Sequence, residues 1–327
     1  MAEIQYVVNS RFNVIDLVRL GRMIVLDDLD SEAHISDRML KFKEIWTEHD
    51  PPAGAEYDVE NLEFDPIRIL QECNAWFEVL LRDRINQAAR AVTLAYSIST
   101  DLDAIASRYP VGPRLDSDGD GIPDESDDRY RRRTQLSLNA LSPHGVAGSY
   151  LFWALSADAG LKDASEVARE GTGEVIITCM DDLPKRSDET DLQYAYRCIV
   201  EWDPRPSVER LLAVRAYIFD EGRRGVTDII SVREPKPIDT SYRLKVWFYP
   251  PPDRDTLLQK LLDNLVLLIN KQRWLGYDHT RMAIDAAVAE AGVHHCEILE
   301  PATDIFVDPT QCVRVDRIEI TYMGRAE

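Results

Sequence analysis

Residues 65–99 read DPIRILQECNAWFEVLLRDRINQAARAVTLAYSIS, the longest uninterrupted helical pattern in the sequence. Asp65 is placed to cap the N-terminus, and Pro66 suits the first helical position, where its missing N–H costs nothing. Apolar side chains recur at Leu70, Cys73, Phe77, Leu81, Ile85, Ala88, Val92 and Ala95, in steps of three and four that mark one helical face. The successive four-residue steps after Cys73 form a stutter, which favours a local bundle over an extended supercoil. Trp76, Leu80, Ala89 and Ala91 widen the stripe, so the helix is expected to meet more than one neighbour. At roughly 1.5 Å per residue it would be about 50 Å long. Two readings stand: a strut that joins subunits or layers, or a helix buried within one large domain.

Working outward, a chain of 327 residues has room for roughly two domains with real cores. Its 45% hydrophobic and 29% charged residues are the balance of an ordinary soluble globular protein. A formal net charge of −20 argues against nucleic acid as a partner and favours neutral or basic protein surfaces. Cys73, Cys179, Cys198, Cys296 and Cys312 are scattered and odd in number, with no CxxC pair, which reads as reduced thiols and synthesis in the cytosol. MAEIQYVVNSRF lacks the apolar core of a signal peptide, and no run approaches a membrane span. The expected exit from the cell is therefore lysis, or passage as part of a larger particle.

The expected fold class is α+β. Residues 1–60 read as an N-terminal helical arm, with short apolar patches at FNVIDLVRL and IVLDDLD. HISDRMLKFKEIWTEHD follows as an amphipathic helix whose apolar side carries Ile35, Met39, Leu40, Phe42, Ile45 and Trp46. After the linker DPPAGAEYD, residues 61–110 form the long-helix bundle region, in which DLDAIASRYPV packs back through Leu102, Ile105 and Ala106. Residues 111–128 are an Asp/Gly/Pro loop, and Ser126 caps the next helix, DDRYRRRTQLSLNAL. Residues 129–206 form a middle α+β region and hinge. It has a second helix packing through Tyr150, Leu151, Trp153 and Leu155, then a hairpin of KDASEVARE and EVIITCM. The polar stretch 181–206, with Pro184, Pro204 and Pro206, is read as the domain boundary. Residues 207–327 are expected to be a C-terminal α+β domain, a sheet with helices on one face. Tyr242, Leu244, Val246 and Phe248 alternate with Arg243, Lys245 and Trp247 as a half-buried strand, and Leu258, Leu261, Leu262, Leu265 and Leu268 point inward from a strong helix.

Catalytic signatures are missing. There is no GxSxG, HExxH, P-loop, or GxGxxG after a strand, so nothing in the sequence supports an enzyme. His294 and His295 are consecutive strand residues pointing to opposite faces, which suits a half-exposed strand better than a metal site. One local motif is sharp. Asp116, Asp118, Asp120, Asp124 and Asp127 fall at positions one, three, five, nine and twelve of a loop with Gly121 at six, the spacing of a calcium loop. The Ile122 carbonyl would complete a single, weak calcium site. The competing reading is an acidic, solvated loop whose last carboxylates serve the next helix dipole.

Three segments carry a resemblance: LLRDRINQAARAVTLAYSISTDLDAIASRY, ESDDRYRRRTQLSLNALSPHGVAGSYLFWALSADAGLKDASE, and the run from YRLKVWFYPPPD to DIFVDPTQC. Their content and order resemble the baseplate assembly protein J family of contractile-tailed phages and tail-like bacteriocins, and FNVIDLVRL resembles that family's opening segment. Two departures stand out: DSDGDGIPD replaces a proline-rich linker before ESDD, and the 181–206 stretch is longer than usual. The resemblance implies a structural wedge protein around the central hub of a baseplate, not an enzyme. Its implied partners are a second copy of itself, another wedge protein, a small sheath-initiating baseplate protein and hub proteins, with no nucleic acid and no membrane. It implies that helices form a bundle shared between chains, which makes Leu70, Phe77, Leu81, Ile85, Ala88 and Val92 the partner-binding face. It also makes residues 207–327 an oligomerisation domain that closes a ring. The implied location is the virion tail baseplate, with the host cytoplasm during assembly.

Overall fold

The computed structural model describes residues 28–49, 64–116, 123, 125–142, 147–169, 172–186, 188–220, 222, 223, 225, 227–249 and 254–325. The patch FNVIDLVRL and the linker DPPAGAEYD lie outside the described residues. The fold is α+β, and the chain parts into two compact units between Arg108 and Tyr109.

In the first unit, α1 spans Ser31–Glu48 and is capped by Asp30, whose carboxylate accepts from the Glu32 and Ala33 N–H groups at 3.0 and 3.3 Å. Helix α2 spans Pro66–Ala91, with Asp65 as the predicted cap, accepting from the Arg68 N–H at 3.1 Å. The helix is shorter than the sequence pattern suggests, about 39 Å at 1.5 Å per residue. It stops because the Thr93 N–H and hydroxyl both return to the Arg90 carbonyl, at 3.1 and 2.9 Å. The Tyr96 and Ser97 N–H groups then share the Thr93 carbonyl at 3.2 and 3.0 Å in an isolated turn that does not continue the helix. A β-branched residue whose hydroxyl competes for local carbonyls is a poor helix continuation. Val92 is thus the cap and Ala95 lies beyond the helix. A short helix, α3 (Ser99–Ala106), buries Leu102, Ile105 and Ala106 as its pattern predicts.

The second unit opens with α4 (Asp127–Leu136), capped by Ser126, then a 3-10 turn (Ser137–Leu141) and α5 (Ala147–Ala157). Strands β1 (Leu161–Arg169) and β2 (Glu174–Asp181) form the predicted antiparallel hairpin. Next come α6 (Asp191–Glu201), α7 (Val208–Ile218) and β3 (Ile229–Arg233), which joins the hairpin parallel to β2. The remaining elements are β4 (Lys236–Phe248), α8 (Arg254–Gln272), α9 (Arg281–Val288), β5 (Val293–Glu300) and β6 (Gln311–Arg325). Their sheet has the order β5-β4-β6, with β4 antiparallel to β5 and parallel to β6.

The main core forms between this sheet and α8 and α9. Alternate β4 residues Tyr242, Leu244, Val246 and Phe248 are buried against Leu257, Leu261, Leu265 and Ile269 of α8 and Ile284 and Val288 of α9. The fully inward α8 face runs through Leu257 and Ile269, while Leu258 and Leu268 pack at its margin, a rotation of the stripe by about one residue. The polar stretch 181–206 carries a helix that its composition masks. Thr190 and Gln193 form a reciprocal capping box at the start of α6, with the Gln193 N–H donating to Thr190 Oγ1 at 3.2 Å and the Thr190 N–H to Gln193 Oε1 at 2.9 Å. Cys198 and Trp202 then join Met180, Leu275 and Cys312 in a second small core. The expected boundary at 206/207 falls inside this unit, and β3 pairs with β2 across it.

A buried ion cluster ties the start of the unit together. The Glu125 side chain is fully buried and bonds Arg129 and Arg133, each at 2.6 Å. Arg133 also donates to the Val111 and Pro113 carbonyls at 2.8 and 2.7 Å, and Arg129 to those of Leu155, Asp158 and Leu161 at 2.6, 2.6 and 2.9 Å. Burial lowers the Arg129 pKa, with the Glu125 charge opposing that shift. Removing one partner strands two buried guanidiniums, so Glu125→Ala is expected to cost about 3–5 kcal/mol of unfolding free energy in a urea titration. An unchanged urea midpoint would show that the cluster does not hold the unit.

Candidate functional site

Helix α2 presents its apolar stripe to solvent. Leu70, Phe77, Leu81 and Ile85 are 57, 59, 66 and 55% exposed, and Trp76 and Leu80 flank them in the open. Ala88 and the capping Val92 are exposed as well. Buried on this helix are Ala75 and Asn86, on the opposite side. The sequence reading of a helix buried in one domain therefore does not describe α2.

The side of α2 that meets α1 is small and charged. Glu78 takes Arg82 one turn away through Nε at 3.0 Å and Nη2 at 2.7 Å, and Arg38 of α1 through Nε at 3.0 Å. These bonds, Arg82's first and Arg38's second, lower the Glu78 pKa below its ordinary value. Of the α1 residues predicted apolar and inward, Met39 is buried, while Leu40, Ile45 and Trp46 remain exposed. Helix–helix pairing through an ion pair leaves both apolar surfaces available, and contiguous exposed apolar patches of this kind mark association sites. One local signal points to this seam, the four-residue spacing of Glu78 and Arg82. Arg38 carried no signal.

The second candidate site is met only at its ends. Asp118, Asp120, Ile122 and Asp124 lie outside the described residues. Asp127 pairs with Arg114 at 2.7 Å. The loop stem is closed by Glu125, whose carboxylate accepts from the Leu115 N–H at 3.1 Å while its own N–H donates to the Leu115 carbonyl at 3.3 Å. Among the histidines, His294 and His295 are exposed and rest on different rings, Tyr249 at 4.9 Å and Trp247 at 5.1 Å. His279 is buried, meets the Tyr242 hydroxyl through Nδ1 at 2.6 Å, and is pushed down to about 4 by burial, which keeps it a neutral core residue. Burial, then the Asp228 charge, lifts Glu166 to about 7. Among the described residues no three His, Cys, Asp or Glu side chains are grouped to hold a metal ion.

Comparison with known proteins adds a separate observation. Residues 63–119, which include α2, α3 and the near side of the acidic loop, match the family of Baseplate J-like N-terminal domains. The chain is also 30% identical over 305 residues to baseplate protein J of Escherichia phage P2, a match covering 91% of this chain and 94% of that one.

The seam between α1 and α2 gives a pH dependence whose sign is fixed. A carboxyl held below its unfolded value contributes stability above that value and loses it as pH falls through the folded one. Protection of α1 amides from hydrogen exchange, corrected for intrinsic rates, is therefore expected to drop below about pH 4. Glu78→Gln should show the same loss at pH 6. Equal protection of wild type and Glu78→Gln at pH 6 would remove the ion pair from α1 docking.

Proposed function

The chain belongs to the baseplate J family, and from that premise we propose that it is a structural wedge component of a contractile-tail baseplate, assembled through α2. The observation that carries this reading is the outward apolar face Leu70–Phe77–Leu81–Ile85–Ala88, set on a helix whose inward side is polar. A second copy of the chain and another wedge protein cover this face as further helices of a shared bundle. The sheath-initiating and hub proteins contact the assembled wedge, and residues 207–327 join neighbouring copies into a ring. Its place is the virion tail baseplate after assembly in the host cytoplasm, and its role is mechanical rather than catalytic.

Leu81 and Ile85 lend themselves to a clean test because they are exposed in the single chain. Exposed substitutions usually alter folding stability by less than about 0.5 kcal/mol. A carboxylate pressed into an apolar bundle costs several kcal/mol. Leu81→Asp and Ile85→Asp are thus expected to leave the thermal midpoint unchanged and to abolish co-elution with partner baseplate proteins after co-expression. Co-elution as in wild type would remove α2 from the interface.

The rival reading is a calcium-dependent protein-binding module centred on Asp116–Asp127. Its support is the loop spacing; against it, Asp127 is already paired with Arg114, and Glu125 closes the stem. The two readings differ in one measurement. A calcium module unfolds at a higher temperature in millimolar calcium than in chelator, and Asp118→Asn/Asp120→Asn removes the difference. The baseplate reading with an acidic, solvated loop expects equal midpoints in both buffers.

A further inference from the structure

Around Trp274 three cations meet with hydrogen-bonding capacity left over. Arg132 of α4 lies over the Trp274 ring with its Cζ 5.0 Å from the centroid, and Lys162 of β1 places its Nζ at 5.2 Å from the same centroid. Arg273, at the end of α8, stacks on Trp202 at 4.8 Å and is 2% exposed. Arg132 spends Nη2 on Asp163 at 2.6 Å. Arg273 spends Nε on Asn270 Oδ1 at 3.0 Å and Nη2 on the Tyr194 hydroxyl at 2.9 Å. The Nη1 of each guanidinium is buried with no acceptor. The Lys162 ammonium comes no closer than 3.7 Å to Asp182, and Arg273 stands at the same distance from that carboxylate. Asp182 Oδ1 is already engaged by the Leu183 N–H at 3.0 Å and the Tyr194 hydroxyl at 3.1 Å.

Buried donors without acceptors are rare, and those on charged groups are the costliest to leave unmet. Here two such donors sit on Arg132 and Arg273 beside the Lys162 ammonium, three cations drawn from different elements, and the two carboxylates paired with them, Asp163 and Asp182, leave an excess of one positive charge among these five groups. In a chain of net charge −20 that excess is unusual. The side chains of Lys162, Arg132 and Asp182 are 12, 23 and 35% exposed, so the cluster is open to solvent on the Asp182 side. Planar guanidinium N–H groups and a flexible ammonium are the usual partners of sulfate, phosphate and carboxylate oxygens.

We propose that Lys162, Arg132 and Arg273 form a binding site for a small oxyanion, which accepts from the Lys162 ammonium and from the two unpartnered Nη1 groups. The site lies outside α2 and outside the acidic loop, so it stands or falls independently of the baseplate reading. Burial, and then the Arg273 charge, lower Lys162 to about 8, with Asp182, Cys198 and Asp163 acting in the opposite sense. A bound anion reverses that lowering, so anion affinity falls as pH rises through the free-site value.

Sulfate is the probe, because its charge does not change between pH 7 and 9.5. In calorimetric titration of the full chain at constant ionic strength, with chloride as the compensating anion, wild type is expected to show saturable one-to-one binding. Its affinity should fall about thirtyfold from pH 7 to 9.5 as Lys162 loses its proton. Lys162→Met keeps the length of the side chain and should weaken sulfate at least tenfold at pH 7. The absence of saturable heat, an affinity that ignores pH, or a Lys162→Met titration that matches wild type would each overturn the proposal. The pH arm uses unaltered protein, so misfolding of a variant cannot decide the outcome.

Discussion

A carboxylate with no access to water organises the second unit. Glu125 bonds two arginines that reach opposite ways, Arg133 to the 111–113 backbone and Arg129 to the junction of α5 and β1. Each guanidinium satisfies carbonyls that a loop would otherwise leave unpaired. Placing a full charge in a protein interior is costly on its own, and the geometry compensates only because every guanidinium arm finds an acceptor. The ESDDRYRRR segment therefore positions three pieces of chain at once. Arg132, between the two, extends the same logic to Asp163, whose second oxygen accepts from the Leu275 N–H at 3.1 Å and so links β1 to the end of α8.

The first unit is built on the opposite principle. Helices α1 and α2 meet through Arg38, Glu78 and Arg82, and Met39 and Ala75 are the apolar side chains buried on those two helices. A half-exposed ion pair contributes modestly in water. The apolar side chains of α2, which would give a stable hairpin if turned inward, are turned out instead. Such an arrangement leaves the apolar area of α2 exposed in the single chain, where covering it would add stability.

Much of the fold was legible in the sequence because it depends on local rules. Asp65 and Ser126 read as caps, β4 as an alternating strand, and the hairpin from β1 to β2 as two strands about a Gly-Thr-Gly turn. Three features were not. The end of α2 depends on the Thr93 hydroxyl choosing the Arg90 carbonyl, a competition that apolar periodicity does not register. Helix α6 was hidden by its polar surroundings, although Thr190-x-x-Gln193 is a capping-box signature that names its first turn. The direction in which α2 turns its stripe was out of reach, because periodicity finds a face without saying what it faces. The Arg38 partner that decides it lies 40 residues away in sequence. The same holds for the cluster around Trp274, whose members come from α4, β1 and the end of α8 and share no local pattern.

Charge and the outward stripe act together. A chain of net charge −20 repels its own kind at long range, and at physiological salt that repulsion fades beyond roughly 8 Å. Close approach then requires either a partner that lowers the local charge or a register that brings apolar side chains together before the carboxylates. On α2 the paired charges lie away from the stripe: Arg68 and Glu72 pair one turn apart at 3.2 Å, and Arg82 faces Glu78 on the side towards α1. Contact along α2 can bury Phe77, Leu81 and Ile85 without confronting an unpaired like charge from those pairs.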